Sequence, residues 1–94
     1  MRTIERSSAF KRDYQRAKAT PRHSKDLESR VSTAVALLLS DRVLPENNRD
    51  HALSGDWVGY RECHIKPDLL LIYRKPGAGT LRLARIGSHS ELFG

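Results

Sequence analysis

The chain has 94 residues, 38% of them hydrophobic, and a formal net charge of +6 from seventeen Lys and Arg against eleven Asp and Glu. This length suits one domain with a single modest core, and the apolar residues are too scattered to form a membrane span. The lone cysteine, Cys63, excludes an internal disulfide and fits a reducing compartment. Because the first residues also lack the apolar stretch of a secretion signal, we expect a cytoplasmic protein without a membrane partner.

The positive charge is concentrated in the first half of the chain. Residues 1–49 contain eleven basic and six acidic side chains, whereas residues 50–94 contain six and five. A basic surface raises the local concentration of a polyanion and speeds its encounter with the protein. We therefore expect a nucleic acid, an acidic protein or both as partners, and charge alone does not distinguish between them.

The N-terminal part predicts a strand followed by a first amphipathic helix. Thr3 to Arg6 is a short candidate strand, and Ser7 and Ser8 occupy N-cap positions. The helix has apolar residues at i, i+4 and i+7, namely Phe10, Tyr14 and Ala17. It ends at Thr20-Pro21, because the residue before a proline is driven out of the α region.

A second amphipathic helix is predicted to begin near Ser24. Asp26 and Glu28 fall in its first turn, where acidic groups suit the positive end of the helix dipole. Its buried stripe consists of Leu27, Val31, Ala34, Val35, Leu38 and Leu39. Two such helices need a further apolar surface to cover.

The second half predicts that surface as a three-stranded meander after a polar loop at residues 46–50. The candidate strands are Trp57–Ile65, Leu69–Arg74 and Thr80–Ile86. Short links that contain Pro or Gly separate them, so neighbouring strands should pair as antiparallel hairpins. The sequence thus predicts one α+β domain over residues 1–94, in the order β-α-α-β-β-β, with two helices packed on an antiparallel sheet.

Several groups suited to proton transfer flank the meander. His51 precedes it, His64 lies near the end of its first strand, Asp68 follows the turn, and His89 follows the last strand. Because a hairpin brings the end of one strand beside the start of the next, His64 and Asp68 should be near neighbours. We expect all four side chains to converge on one side of the sheet.

These residue types fit RNA cleavage without a metal. The reaction needs a base for the 2′-hydroxyl and an acid for the departing 5′-oxygen, and imidazole, with an ordinary pKa of about 6.5, serves as either near neutral pH. A cation must also stabilise the phosphorane, and the planar charge of Arg85 suits that role. Taken singly, each residue has a simpler explanation: Asp68 is an ordinary turn residue, Arg85 a solvated strand residue, and His23 a histidine without a role.

The motifs of the second half occur in one continuous order. They are residues 50–61 (Asp-His-Ala-Leu-Ser-Gly-Asp-Trp-Val-Gly-Tyr-Arg), His64, Pro67-Asp68, Leu71-Ile72-Tyr73, Arg85, Gly87, His89 and Leu92-Phe93-Gly94. This half of the chain resembles the YafQ branch of the RelE-like toxins of type II toxin–antitoxin systems. The resemblance implies a RelE-like fold. It also implies that the protein is an mRNA endoribonuclease that cuts the message in the A site of a translating ribosome and needs no cofactor. It also implies a cognate antitoxin that silences the toxin.

The resemblance also assigns site residues. The family's catalytic constellation falls on His51, His64, Asp68, Arg85, His89 and Phe93. By this resemblance His89 is the general acid, Arg85 the phosphate clamp and Phe93 a platform for a stacked base.

Two points of the assignment stay open. The base is Asp68 or a nearby histidine, because a carboxylate needs desolvation to act as a base here. Leu69 stands where relatives carry a tryptophan, which predicts a weaker contact with the message and leaves the codon preference open.

Two other functions fit the same residues. Three histidines and Asp68 are ligand types for a divalent-metal nuclease. A basic RNA-binding or ribosome-binding module without catalysis would leave the histidines incidental.

Overall fold

The computed structural model covers residues 1–94 and has a five-stranded sheet with helices packed against it. The strands are β1 (Thr3–Arg6), β2 (His51–Ala52), β3 (Arg61–Lys66), β4 (Leu69–Arg74) and β5 (Thr80–Gly87). The helices are α1 (Ser8–Ala19), α2 (Pro21–Ser24), α3 (Leu27–Leu39) and α4 (His89–Phe93). The predicted α+β class is confirmed. None of the helices is both long enough and apolar enough to cross a bilayer.

The sheet is mixed, with the strand order β1-β5-β4-β3-β2. The strands β3, β4 and β5 form antiparallel hairpins, as the short links between them predict. However, β1 pairs with β5 in parallel, from Thr3 opposite Thr80 to Arg6 opposite Leu83. The predicted antiparallel sheet is confirmed for the meander, but β1, for which no pairing was predicted, makes the sheet mixed at this edge, because no hairpin turn joins these two strands and sets their relative direction.

One face of the sheet carries the core. In β4 the alternate side chains of Leu69, Leu71 and Tyr73 face α1 and α3, whereas Ile72 lies on the opposite face. The buried cluster consists of Phe10, Ala17, Leu27, Val31, Ala34, Val35, Leu38, Leu44, Cys63, Ile65, Leu69, Leu71, Tyr73, Leu81, Leu83 and Ile86. Burial raises the pKa of the Cys63 thiol to about 12, so this cysteine is a packing residue and not a nucleophile.

The strand β3 begins at Arg61 and not, as predicted, at Trp57. Residues Gly55–Trp57 instead form a 3-10 turn. Gly55 (φ +65°) and Gly59 (φ +90°) adopt positive φ angles, which interrupt an extended strand. A short strand, β2, precedes this turn and adds a fifth member to the sheet.

The predicted second helix begins at Leu27 and not near Ser24, and the short helix α2 precedes it as a separate element. Asp26, predicted in the first turn, is the N-cap residue instead, and its left-handed φ of +57° cannot continue a right-handed helix. The buried stripe of α3 is otherwise as predicted, since Leu27, Val31, Ala34, Val35 and Leu38 are buried. Only Leu39 is partly exposed, and it still packs against the core.

Candidate active site

Two imidazoles approach one carboxylate on the sheet face opposite the core. His51 in β2 pairs with Glu62 in β3, and His64 lies two residues further along β3, which places it on the same face. Nε2 of His51 and Nε2 of His64 each lie 3.7 Å from Glu62 Oε1. Nδ1 of His51 donates to the carbonyl of Arg49 at 2.7 Å, and Nδ1 of His64 donates to that of Pro67 at 3.3 Å.

These contacts determine which nitrogen of each ring is available for proton transfer. A carbonyl oxygen only accepts hydrogen bonds, so each Nδ1 carries a proton. In both His51 and His64, Nε2 is therefore the atom that can take up or release a proton. The 3.7 Å distances to Glu62 are longer than hydrogen bonds, and such bonds often tighten only when substrate binds.

Glu62 is a candidate site residue that the sequence analysis missed. Its carboxylate is 6% exposed and is one of few buried charged groups in the chain. Buried carboxylates are rare unless they have polar partners, and here the partners are the two histidines. The period of two along a strand was the available signal, because Glu62 precedes His64 by two residues.

The segment that carries His51 is fixed by its neighbour Asp50. The hydroxyl of Tyr73 donates to Asp50 Oδ1 at 2.5 Å, and the Arg61 guanidinium donates to Oδ2 at 3.2 Å. Burial, followed by the hydrogen bond to Asp50, raises the pKa of Tyr73, so this hydroxyl remains a donor. A buried tyrosine thus positions the short strand β2 against β3.

Asp68 and Leu69 differ in their surroundings. Asp68 lies exposed in the turn between β3 and β4 and makes no side-chain hydrogen bond or ion pair. The same turn reaches His64 through the carbonyl of Pro67. Leu69 is fully buried in the core, so its side chain does not present a surface to a message.

Arg85 is bound to a buried carboxylate from α1. Its Nε donates to Asp13 Oδ2 at 2.5 Å and its Nη2 to Oδ1 at 3.1 Å, and this hydrogen-bonding raises the pKa of the arginine. Nη1 makes no hydrogen bond within the chain. Arg85 pairs with Ile72 in β4, which pairs with Glu62 in β3, so its Cα lies in the same cross-strand row as the histidine–glutamate contacts.

Asp13 also completes the edge of β5. The pairing between β1 and β5 ends at Leu83, so the backbone groups that follow need other partners. Asp13 Oδ2 accepts the N–H of Ile86 at 3.2 Å, and the Ser7 hydroxyl donates to the carbonyl of Ala84 at 2.7 Å. Sequence analysis missed Asp13, because Arg85 and Ile86 are more than seventy positions away from it in the chain.

The helix α4 presents His89 and Phe93 at the protein surface. Ser88 and Glu91 form a capping box at its start: Ser88 N donates to Glu91 Oε1 at 2.7 Å, and Glu91 N donates to Ser88 Oγ at 3.2 Å. The rings of His89 and Phe93, four residues apart, lie 5.1 Å from each other. The imidazole is thus carried by a capped helix that begins directly after β5.

Glu91 connects α4 to the N-terminal helices. Its Oε2 lies 3.4 Å from Arg16 Nε, and its Oε1 lies 3.7 Å from His23 Nε2. The backbone N–H of Ser88 is the main cause of the lowered pKa of Glu91. His23, predicted to have no role, is 2% exposed and contacts this carboxylate. A Cβ at Gly87 would lie 3.1 Å from Glu91 Oε1, so α4 packs more closely than most side chains would permit.

The predicted residues therefore fall into two groups. His51 and His64 approach Glu62 on β2 and β3, and His89 contacts Phe93 on α4. Arg85 lies in β5, which is separated from the first group by β4 and leads into α4. Asp68 contacts neither group directly.

Known proteins match the chain over its whole length. The family model described as a bacterial toxin of type II toxin–antitoxin systems, YafQ, matches residues 2–94. The chain belongs to the YafQ toxin family. It is a toxin of a type II toxin–antitoxin system by that membership, and the resemblance first drawn on residues 50–94 extends to the N-terminal helices.

Similar proteins from Escherichia coli include one sequence relative and two solved structures. The mRNA interferase toxin YafQ of strain K12 is 38% identical over 94 residues, which cover 99% of this chain and 97% of that protein. The crystal structure of YafQ from strain BL21(DE3) superposes with a TM-score of 0.85 at 35% identity, with both chains fully covered. A crystal structure of the E. coli DinJ–YafQ complex superposes with a TM-score of 0.84 at 36% identity, also over both full chains. The implied fold is confirmed by these YafQ-family structures.

Proposed function

We propose that this YafQ-family chain is an endoribonuclease that cleaves mRNA in the ribosomal A site by acid–base catalysis and needs no metal. The name of the E. coli relative, mRNA interferase, supports the substrate. The observation that carries the proposal is the convergence of His51 and His64 on Glu62, in the cross-strand row that contains Arg85. Together with His89, this arrangement offers a base, an acid and a cation on one sheet and its C-terminal helix.

The proposed reaction begins with His64. Its Nε2 takes the proton of the 2′-hydroxyl, the 2′-oxygen attacks the adjacent phosphorus, and a bond to phosphorus forms. The bond from phosphorus to the 5′-oxygen then breaks, and His89 donates a proton to that oxygen. The products are a 2′,3′-cyclic phosphate and a 5′-hydroxyl, and solvent returns both imidazoles to their starting protonation states.

The other residues position the substrate in this scheme. His64 is chosen as base over Asp68 because it lies between two fixed contacts, Glu62 and the carbonyl of Pro67, whereas Asp68 is an exposed turn residue. His51 and the Nη1 atom of Arg85 bind the phosphate oxygens. Phe93 stacks on a displaced base, a contact worth about 1–3 kcal/mol.

Mapping RNA 5′ ends in cells after induction of the protein tests the proposal. We expect new ends with 5′-hydroxyl groups within translated regions, and none when translation initiation is blocked beforehand. In a purified translation system we expect EDTA-treated protein, added back at constant ribosomal Mg²⁺, to cleave at the untreated rate. Loss of cleavage that Zn²⁺ or Mn²⁺ restores would favour a metal-dependent nuclease, and arrest without new 5′ ends would favour a non-catalytic binding module.

We also propose a cognate antitoxin with an acidic segment that contacts the basic helices. The E. coli relative has been crystallised with DinJ, and α1 of this chain exposes Lys11, Arg12 and Lys18 without any carboxylate partner. Charge complementarity of this kind is screened by salt. We expect the affinity of the purified pair, measured by calorimetry, to fall by more than about tenfold between 50 and 200 mM salt. A salt-independent affinity would contradict the charged contact.

A further inference from the structure

A polar cleft lies beside the candidate active site, on the far side of His64. It has a volume of about 830 Å³ and is formed by α3, the 3-10 turn at Glu46–Asn48 and the end of β3. Its charged side chains are Arg30, Arg49 and Lys66, and no Asp or Glu lines it. The charged side chains of the cleft are therefore all basic.

Two of these cations have no partner within the chain. Arg30 and Arg49 are exposed and take part in no ion pair, and their side chains donate no hydrogen bond. In contrast, the guanidinium groups of Arg2, Arg16, Arg61, Arg82 and Arg85 all bind carboxylates. The ammonium of Lys66 is already bound to the carbonyl of His23 at 2.8 Å. Two free guanidinium groups in one cleft are suited to an anionic ligand with several oxygens.

The cleft is joined directly to the two imidazoles. Arg49 has a left-handed backbone, with a φ of +49°, a conformation that non-glycine residues rarely adopt and that is common at functional sites. Arg49 lines the cleft, and its carbonyl accepts the hydrogen bond from His51 Nδ1. The Asn48 amide donates to the carbonyl of His64 at 2.7 Å, and His64 is itself one of the residues that line the cleft.

We propose that this cleft binds the phosphodiester backbone of RNA next to the cleaved bond, through Arg30 and Arg49. The inference rests on the proposed function and extends it to a second subsite. Planar guanidinium groups bind phosphate oxygens bidentately, and a strand that leaves the imidazoles meets no carboxylate in the cleft. Arg49 lines the cleft and also accepts the hydrogen bond from His51. A phosphate bound to Arg49 therefore also holds His51 in position.

The test compares two charge-matched pairs of substitutions. The first is Arg30→Gln with Arg49→Gln. The control is Arg6→Gln with Arg42→Gln, which removes two exposed arginines, of β1 and of the segment after α3, that also lack carboxylate partners. All four positions are exposed, so both proteins should unfold at nearly the parent temperature. The probe is a message with 2′-O-methyl riboses, which has no 2′-hydroxyl to attack, used free and on programmed ribosomes.

We expect the cleft pair to weaken binding by at least about tenfold, because two charged contacts are lost. We also expect the plot of log affinity against log salt to become shallower by about 1.4, since each phosphate contact on a single strand contributes about 0.7. The control pair should leave both quantities close to those of the parent protein. Binding is measured without cleavage, so the two tests are independent. If the parent protein binds this probe but does not cut unmodified message, the proposed function is refuted, and the comparison of the cleft pair with the control pair can still be interpreted.

The length of the message distinguishes two sources of the phosphate. If the deficit appears only with a message that extends beyond the A-site codon, the cleft binds the downstream message. If it persists with a message that ends at that codon and also with free message, the cleft binds the codon itself, and both results support the proposal. A deficit that appears only on ribosomes and does not depend on message length would assign the cleft to ribosomal RNA and would overturn the proposal. Equal losses in the cleft and control pairs would overturn the proposal. So would a cleft pair that binds RNA normally and loses only antitoxin affinity.

Discussion

Replacement of His89 by Ala is expected to lower the single-turnover rate of message cleavage by about 10²–10⁴-fold, the usual contribution of a general acid. His89 begins α4, is exposed, and contacts only the ring of Phe93, so its loss should change the free energy of unfolding by less than about 0.5 kcal/mol. The expected defect is therefore chemical. Rapid-quench measurement with saturating protein on programmed ribosomes gives the rate directly.

Two further measurements separate proton donation from mere positioning by His89. An acid must be protonated to act, so the parent rate should fall at high pH, and this fall should disappear in His89→Ala. A message whose 5′-bridging oxygen is replaced by sulfur has a leaving group that needs no proton. We expect His89→Ala to cut that message at nearly the parent rate. An equal deficit on the oxygen and sulfur messages would show that His89 does not donate the proton.

Replacement of Asp13 by Ala is expected to lower the free energy of unfolding by about 3 kcal/mol, because it leaves a half-buried guanidinium and a buried N–H without their acceptor. Asp13 is 3% exposed and accepts hydrogen bonds from Arg85 and from the backbone of Ile86. For a domain of this size each kcal/mol corresponds to about 4–8 °C in Tm. Urea unfolding of the purified variants measures the loss.

The matched variant Asp13→Asn distinguishes the two parts of this contact. The amide oxygen can still accept the Ile86 N–H, so we expect a smaller loss, about 1–2 kcal/mol, from the missing charge. The cleavage rate should fall in both variants because Arg85 no longer has a fixed orientation. As a control, Asp56→Ala removes an exposed carboxylate without an ion pair and should change stability by less than about 0.5 kcal/mol. If Asp13→Ala were as stable as Asp56→Ala, the contact with Arg85 would have no structural role.

The helices and the hairpins were predictable because their signals are local. An apolar residue every three or four positions indicates α1 and α3, and Pro or Gly in a short link indicates a hairpin. The residues at which α3 and β3 begin were harder to predict from the sequence, since they depend on single φ angles, as at Asp26 and Gly59. A residue such as Asp is compatible with both a helical and a left-handed backbone, so its identity does not decide between them.

Part of the candidate site was also within reach of the sequence. The spacing of His51, His64, Arg85 and His89 places them on or beside the meander, and the structure brings the first two to one carboxylate. That carboxylate, Glu62, was missed although its position two residues before His64 predicts the same strand face. A charged residue in a strand is usually solvated, and only packing shows that this one is buried.

The sequence by itself determined the fold class, the order of the main elements and the identity of the groups that can transfer protons, because each follows from local periodicity or from side-chain chemistry. Only the tertiary structure decided that β1 runs parallel to β5, that Glu62 lies between two imidazoles, and that Asp13 binds Arg85. These contacts join residues that are distant in the chain or depend on burial. Their partners are selected by how the helices cover the sheet, which no short window of sequence specifies.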